Sequence, residues 1–145
     1  MAHDADSPTG FAYPPEALAH LDHDQVAWLT TVTDAGAPSP TPIWFLRVRD
    51  DIVSFSEPHF RKVHNLRARP AATLHFNSDR DGKDIVVIHA TVRLEEGPGP
   101  SSVPGYVEKY AEGLAEWGMP VADYDATSNV KLIITPRRIW LGPES

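Results

Sequence analysis

Between residues 58 and 78 the chain carries Arg61, Lys62, Arg67 and Arg69, together with His59, His64 and His75, and no aspartate or glutamate. The whole chain has a formal net charge of -7. An acidic protein has no general attraction for anions, so a local run of positive charge is what an anion site requires. The run begins where a strand over residues 52–56 gives way to helical character at Arg61. First-turn N–H groups of a helix lack intrahelical partners and can bind an anion, and a neighbouring lysine and arginine would hold a phosphate. Lys62 and Asn65 are three apart and share a helical face. A solvated basic helix is the competing reading, and charge alone does not separate the two.

Other chemistry is harder to place. His20 and His23 have a metal-compatible i, i+3 spacing, yet no third ligand is evident, and they read as an exposed pair. His59, His64, His75 and His89 form no HExxH pattern. Ser54 and Ser56 lie in no G-x-S-x-G elbow. There is no G-x-G-x-x-G and no P-loop. The absence of cysteine excludes disulfides, thiolate metal sites and a cysteine nucleophile. Neither a catalytic dyad nor a metal site is expected, and Trp44 and Phe45 read as core.

The positioning elements come from patterning. Pro14-Pro15 opens a short helix through Leu21. Residues 26–33 are rich in β-branched types and read as a strand, and Asp34-Ala35-Gly36 is a hairpin signal. Residues 40–48 read as a further strand. Pro38, Pro40 and Pro42 cannot donate ladder hydrogen bonds, so its first half should be an edge. Strands follow at 52–56, 72–77 and 84–94, the last near-continuously apolar at 85–88 and expected to be buried on both faces. Residues 103–117 read as one amphipathic helix with Val107, Tyr110, Ala111, Leu114 and Trp117 on a shared face, capped by Gly118. Residues 118–129 read as loop, and 130–141 as a last strand interrupted by Pro136. Many short strands with few helices favour a closed or nearly closed barrel over a doubly wound sheet.

A chain of 145 residues, 41% hydrophobic and 23% charged, suits one domain. Residues 1–10 read as a flexible tail and 11–145 as the single domain. The acidic balance argues against nucleic acid and anionic membrane as partners, and no apolar run approaches the ~18 residues of a membrane span. With no signal-peptide pattern at the start, the cytoplasm is the expected location.

Taken in order, several motifs resemble one family. They are a strand, the Asp34-Ala35-Gly36 turn, Thr-Pro-Ile-Trp-Phe at 41–45, Ser-Phe-Ser at 54–56, Arg-Lys-Val-His-Asn-Leu at 61–66, and Arg69-Pro70 before a strand. Tyr-Val-Glu-Lys-Tyr at 106–110 and Ile-Thr-Pro-Arg-Arg-Ile at 134–139 extend the match over nearly the whole chain. This order resembles the pyridoxamine 5'-phosphate oxidase-like, FMN-binding split barrels. The resemblance implies a mainly β fold, a six-stranded antiparallel split β-barrel with short flanking helices. It also implies a homodimer with cofactor sites at the subunit interface. By position, Pro42, Ile43 and Trp44 would line a flavin-type ring, and Ser54, Phe55 and Ser56 would border ring and phosphate. Arg61, Lys62 and Asn65 would hold the phosphate-bearing tail. Thr41 joins this set, although it and Leu46 stand where the true oxidases carry an arginine and a lysine. The substrate arginine-histidine motif of those oxidases is also absent, which argues against vitamin B6 oxidation. Lys-Val-x-Asn-Leu after a short Ser-Phe-Ser strand, with Leu-His-Phe-Asn at 74–77, more resembles the branch using the deazaflavin coenzyme F-420. The implied function is an oxidoreductase that reduces a small organic substrate with reduced F-420. The alternatives are an FMN-dependent oxidoreductase and a non-catalytic flavin-binding protein.

Overall fold

The computed structural model describes residues 10–143. The tail expected over residues 1–10 lies outside the described residues apart from Gly10. The elements are α1 (Pro15–His23), β1 (Ala27–Val32), β2 (Pro38–Ile43), β3 (Leu46–Val48), β4 (Asp51–Ser56), α2 (Arg61–Ala68) and β5 (Ala71–His75). They continue with β6 (Val86–Glu96), a 3-10 turn (Pro100–Ser102), α3 (Tyr106–Lys109), α4 (Ala111–Trp117), α5 (Val121–Thr127) and β7 (Val130–Leu141). One antiparallel sheet runs in the order β2-β1-β5-β6-β7-β4-β3. β2 and β3 are neighbours in sequence and lie at opposite edges of the sheet, so the barrel is split rather than closed. Leu29, Phe45, Ile52, Leu74, Ile88 and Ile134 are fully buried in one cluster inside it. The expected edge is found: Pro38, Pro40 and Pro42 sit on β2, which has β1 as its one neighbour.

The sheet has seven strands where the sequence suggested six. The run read as one strand leaves the ladder at Trp44 and Phe45. There the Phe45 N–H donates to the Tyr110 hydroxyl at 2.8 Å, and the Phe45 carbonyl accepts from Lys109 Nζ at 2.8 Å. Side chains from the α3–α4 junction thus replace strand partners at that point.

Other expectations shift for local reasons. Pro136 does not interrupt β7, because the β6–β7 register slips between His89 and Ala90 and a bulge accommodates the ring. The single helix expected at 103–117 is two, separated at Tyr110 (φ -109, ψ 18). Part of the segment read as loop forms α5, opened by Pro120. At the start of β6, Val86 and Ile88 are buried while Val87, and Ile85 just before the strand, are half-buried, so burial there is one-sided. The strand buried on both faces is β4, because the second cluster covers its outer side. Val53 and Phe55 pack there with Tyr106, Tyr110, Leu114 and Tyr124.

His20 is buried, not exposed, while His23 is exposed. Its ring stacks on Phe76 (centroids 4.9 Å apart), with Nδ1 2.7 Å from Asp24 and Nε2 3.1 Å from Asp84. Burial disfavours the imidazolium, but the two carboxylates outweigh it and the pKa is raised. A histidine whose folded pKa is raised stabilises the fold fully below its unfolded value, ~6.5. That contribution is lost as pH rises through the folded value. Thermal melts from pH 5.5 to 8.5 should therefore show wild-type Tm falling relative to His20→Gln as pH rises. Parallel curves would contradict this assignment.

Among the described residues no helix is long and apolar enough to cross a membrane.

Candidate functional site

An apolar cleft lies where β4 passes into α2. It has a volume of about 410 Å³. One side is formed by Pro42, Ile43 and Trp44 from the β2–β3 corner, with Phe55 and Ser56 from the end of β4. Trp117, Met119 and, from the α5 end, Tyr124, Thr127 and Ser128 line it from the helical segment. Phe60 and Lys62 flank the start of α2. The lining is therefore mostly apolar and aromatic, with one cation beside a helix N-terminus.

That N-terminus is open. Phe60 is the N-cap, no side chain caps the helix, and its first turn holds no acidic residue. Lys62 is half-buried, and burial pulls its pKa down. Among the described residues it has no carboxylate partner, and its Nζ lies 5.2 Å from the centre of the Phe60 ring. Glu57 also lines the cleft, but its ion pair is with His59 at 3.7 Å. A desolvated, unpaired ammonium next to free N–H groups is a fit for a phosphate.

The basic stretch is otherwise largely neutralised. Arg67 pairs with Glu96 at 3.3 Å, and Arg69 pairs with Asp34 at 3.2 Å. His64 also reaches Asp34, at 2.8 Å, and with Arg69 it holds that carboxyl below its ordinary pKa. Of the four Arg/Lys side chains, Arg61 and Lys62 remain without an acidic partner among the described residues.

The sequence-predicted residues divide. Pro42, Ile43, Trp44, Phe55, Ser56 and Lys62 come together in the cleft. Thr41, Ser54, Arg61 and Asn65 do not line it. Ser54 is buried and donates to the Trp44 carbonyl at 2.6 Å, fixing the corner from behind. Asn65 is buried and donates to Thr31 Oγ1 at 3.0 Å, tying α2 to β1. Arg61 is exposed and lines a separate depression with His59 and His64. Thr41 is half-buried on the edge strand.

Trp44 is in the cleft wall, but neither of its ring faces is free. Tyr110 stacks on one at 4.3 Å between centroids and 4°, and Trp117 stacks at 4.8 Å and 13°. Gly113 permits this sandwich, since a Cβ there would lie 3.0 Å from the Trp44 ring. Sequence reasoning missed Trp117 and Tyr124 as cleft residues. Tyr124 has its pKa pushed up to about 12 by burial, so its hydroxyl remains a neutral donor.

Residues 13–140 match the family model described as pyridoxamine 5'-phosphate oxidase. The chain belongs to this family. No curated protein sequence matches it. Among solved structures, a pyridoxamine 5'-phosphate oxidase-like protein of Listeria innocua is 23% identical, with TM-score 0.63, covering 86% of this chain and 94% of that one. An F-420 reductase is 19% identical, with TM-score 0.63, over 90% and 98% of the two chains. A FAD-binding protein of Mesorhizobium loti is 17% identical, with TM-score 0.57, over 86% and 87%. These likenesses establish the split-barrel fold.

Proposed function

We propose that the cleft binds a phosphate-bearing flavin-type cofactor and that the protein is an oxidoreductase reducing a small organic substrate with reduced F-420. The observation that carries this reading is Lys62, desolvated and without a carboxylate partner among the described residues, at the open N-terminus of α2 in the wall of an aromatic cleft. The family membership and the F-420 reductase and FAD-binding neighbours support it.

The bound cofactor would supply the hydride. The chain's own residues bind, orient and exclude water. Lys62 and the first-turn N–H groups hold the phosphate. The Pro42–Ile43–Trp44 corner, stiffened by Ser54 and Tyr110, fixes the ring edge, and Phe55 and Phe60 exclude solvent. The hydride transfer itself would need no general base, and the proton that completes the reduction would come from solvent.

The alternative cofactor is FMN, and one observation favours it. With Arg67 and Arg69 neutralised, less positive surface remains for the long anionic tail of a deazaflavin. Fluorescence titration of the apoprotein at low salt decides between them. The expected result is tighter binding of F-420 than of FMN, and equal or tighter FMN binding overturns the choice. Lys62→Ala should weaken the preferred cofactor about 10- to 100-fold, the worth of a charge-assisted contact to phosphate, and leave the melting temperature of the apoprotein unchanged. An unchanged affinity removes the phosphate assignment.

We further propose a homodimer whose second copy completes the site. The half-buried Val87 on β6 and Ile85 just before it support it. A stable interface of this kind buries more than ~1,000 Å². Light scattering that shows only monomer with cofactor bound excludes it.

A further inference from the structure

Trp117 is the largest exposed apolar side chain among the described residues, at 66%. It stands on the last turn of α4, at the cleft wall. One face of its indole covers Trp44. The other carries no ring contact, and the indole N–H has no partner among the described residues. Its surroundings hold it in place. Tyr110, Trp44 and Trp117 form a continuous stack of three nearly parallel rings anchored on a fully buried tyrosine. Gly118 (φ 65) ends the helix immediately afterwards and turns the chain to Met119, which also lines the cleft. The stack therefore ends at the cleft wall in one exposed aromatic face, and that face belongs to Trp117 rather than to Trp44. Exposing so large an apolar surface is unfavourable in water, and a flat partner of similar size would remove it.

We propose that Trp117 is a stacking shelf that selects a planar, fused-ring ligand. On the function proposed above, that ligand is the hydride acceptor, held against Trp117 while the cofactor phosphate sits at the start of α2. Flatness is what the shelf reads. A puckered molecule of the same carbon skeleton touches an indole face with fewer atoms and cannot form an offset stack.

The test uses 2-naphthol and trans-2-decalol, a flat and a puckered bicyclic alcohol with the same number of carbons. Each is titrated calorimetrically into the full chain and into Trp117→Ala and Trp117→Phe. Wild type is expected to prefer 2-naphthol. Trp117→Ala should weaken 2-naphthol about three- to tenfold, the range of an aromatic pair. The same variant should weaken decalol, FMN and F-420 binding less than it weakens 2-naphthol, and it should still fold. Trp117→Phe should restore most of the preference. Equal loss for both alcohols would mean general apolar area rather than stacking. Equal loss for 2-naphthol and the cofactor would place Trp117 in the cofactor site. Either result overturns the proposal. If neither cofactor binds wild type while 2-naphthol still depends on Trp117, the cofactor reading fails and the shelf stands.

Discussion

Gly99→Ala should lower stability by about 3 kcal/mol and abolish 2-naphthol binding. Gly99 is buried, and its backbone (φ -77) is open to any residue, so its reason for being glycine is space. A Cβ built there would lie 2.4 Å from the Asp125 Cα and 2.7 Å from the Asp125 carbonyl oxygen. These are backbone atoms of α5, and no rotamer change can move them away. The contact is reinforced on both sides. Asp125 accepts a hydrogen bond from the Ser101 N–H at 2.9 Å and another from the Ser101 hydroxyl, while Ser102 Oγ donates to the Gly99 carbonyl at 2.7 Å. Adding one methyl must therefore lift α5 away from the 3-10 turn. α5 carries Tyr124, whose ring belongs to the cluster on the outer face of β4 and lines the cleft. Overpacking against side chains costs about 1–3 kcal/mol, and a clash with backbone belongs at the upper end of that range. For a domain of this size the corresponding Tm drop is on the order of 10 °C. Urea unfolding and 2-naphthol titration of the same sample measure both effects. Ser101→Ala, which removes the hydroxyl bond without adding bulk, should cost no more than about 1 kcal/mol. A Gly99→Ala protein as stable as wild type would show that α5 does not pack against the loop in this way.

The β4–α2 junction was legible because a run of one charge is a property of the chain read in one dimension. Its consequences were less so. Val63 and Leu66 drop into the barrel core, and that choice of inner face carries Asn65 inward to Thr31 and leaves Arg61 outside. The three-residue spacing of Lys62 and Asn65 was correctly read as helical, but it could not say which side of the helix the core would take. Nor could the sequence show that Arg67 and Arg69 are neutralised. Their partners Glu96 and Asp34 lie 29 and 35 residues away and reach them only through the pairing of β1, β5 and β6. Trp117 shows a different failure. On one unbroken helix it shares a face with Tyr110 and Leu114 and reads as core. Tyr110 and Leu114 are buried as that face predicts, but Trp117 stands at the very end of α4, past the covered stretch, and emerges at the cleft wall against Trp44. α5 lacked the apolar periodicity that would reveal it, since Tyr124 is its one buried residue. The barrel was easier to read because β-branched runs, the Asp34-Ala35-Gly36 turn and the proline-marked edge each report on local geometry that the tertiary fold then kept.

Tyr110→Ala should cost about 4 kcal/mol and Tyr110→Phe about 1–3 kcal/mol, and both should weaken 2-naphthol binding. The two substitutions separate the ring from the hydroxyl. The ring is fully buried and forms the inner member of the stack under Trp44, so its removal opens a cavity and frees Trp44 to tilt. The hydroxyl does the work of a missing strand. It accepts the Phe45 N–H at 2.8 Å and lies 2.7 Å from the Gln25 carbonyl, to which it donates. Without it, the buried Phe45 N–H loses its partner, and a buried unsatisfied donor costs about 1–3 kcal/mol. The Phe45 carbonyl is still held by Lys109, whose ammonium sits 3.7 Å above the Phe45 ring with its pKa pulled down to about 8 by burial. Retention of that second bond is why Tyr110→Phe should still fold. It should lose the fixed placement of Trp44, and so of the indole stacked upon it. The expected signature is a weaker 2-naphthol affinity with a smaller loss of Tm than in Tyr110→Ala, and near-UV circular dichroism reduced in the tryptophan region. If Tyr110→Phe matched wild type in all three measurements, the Phe45 N–H would have another partner and the corner would be held by the ring alone.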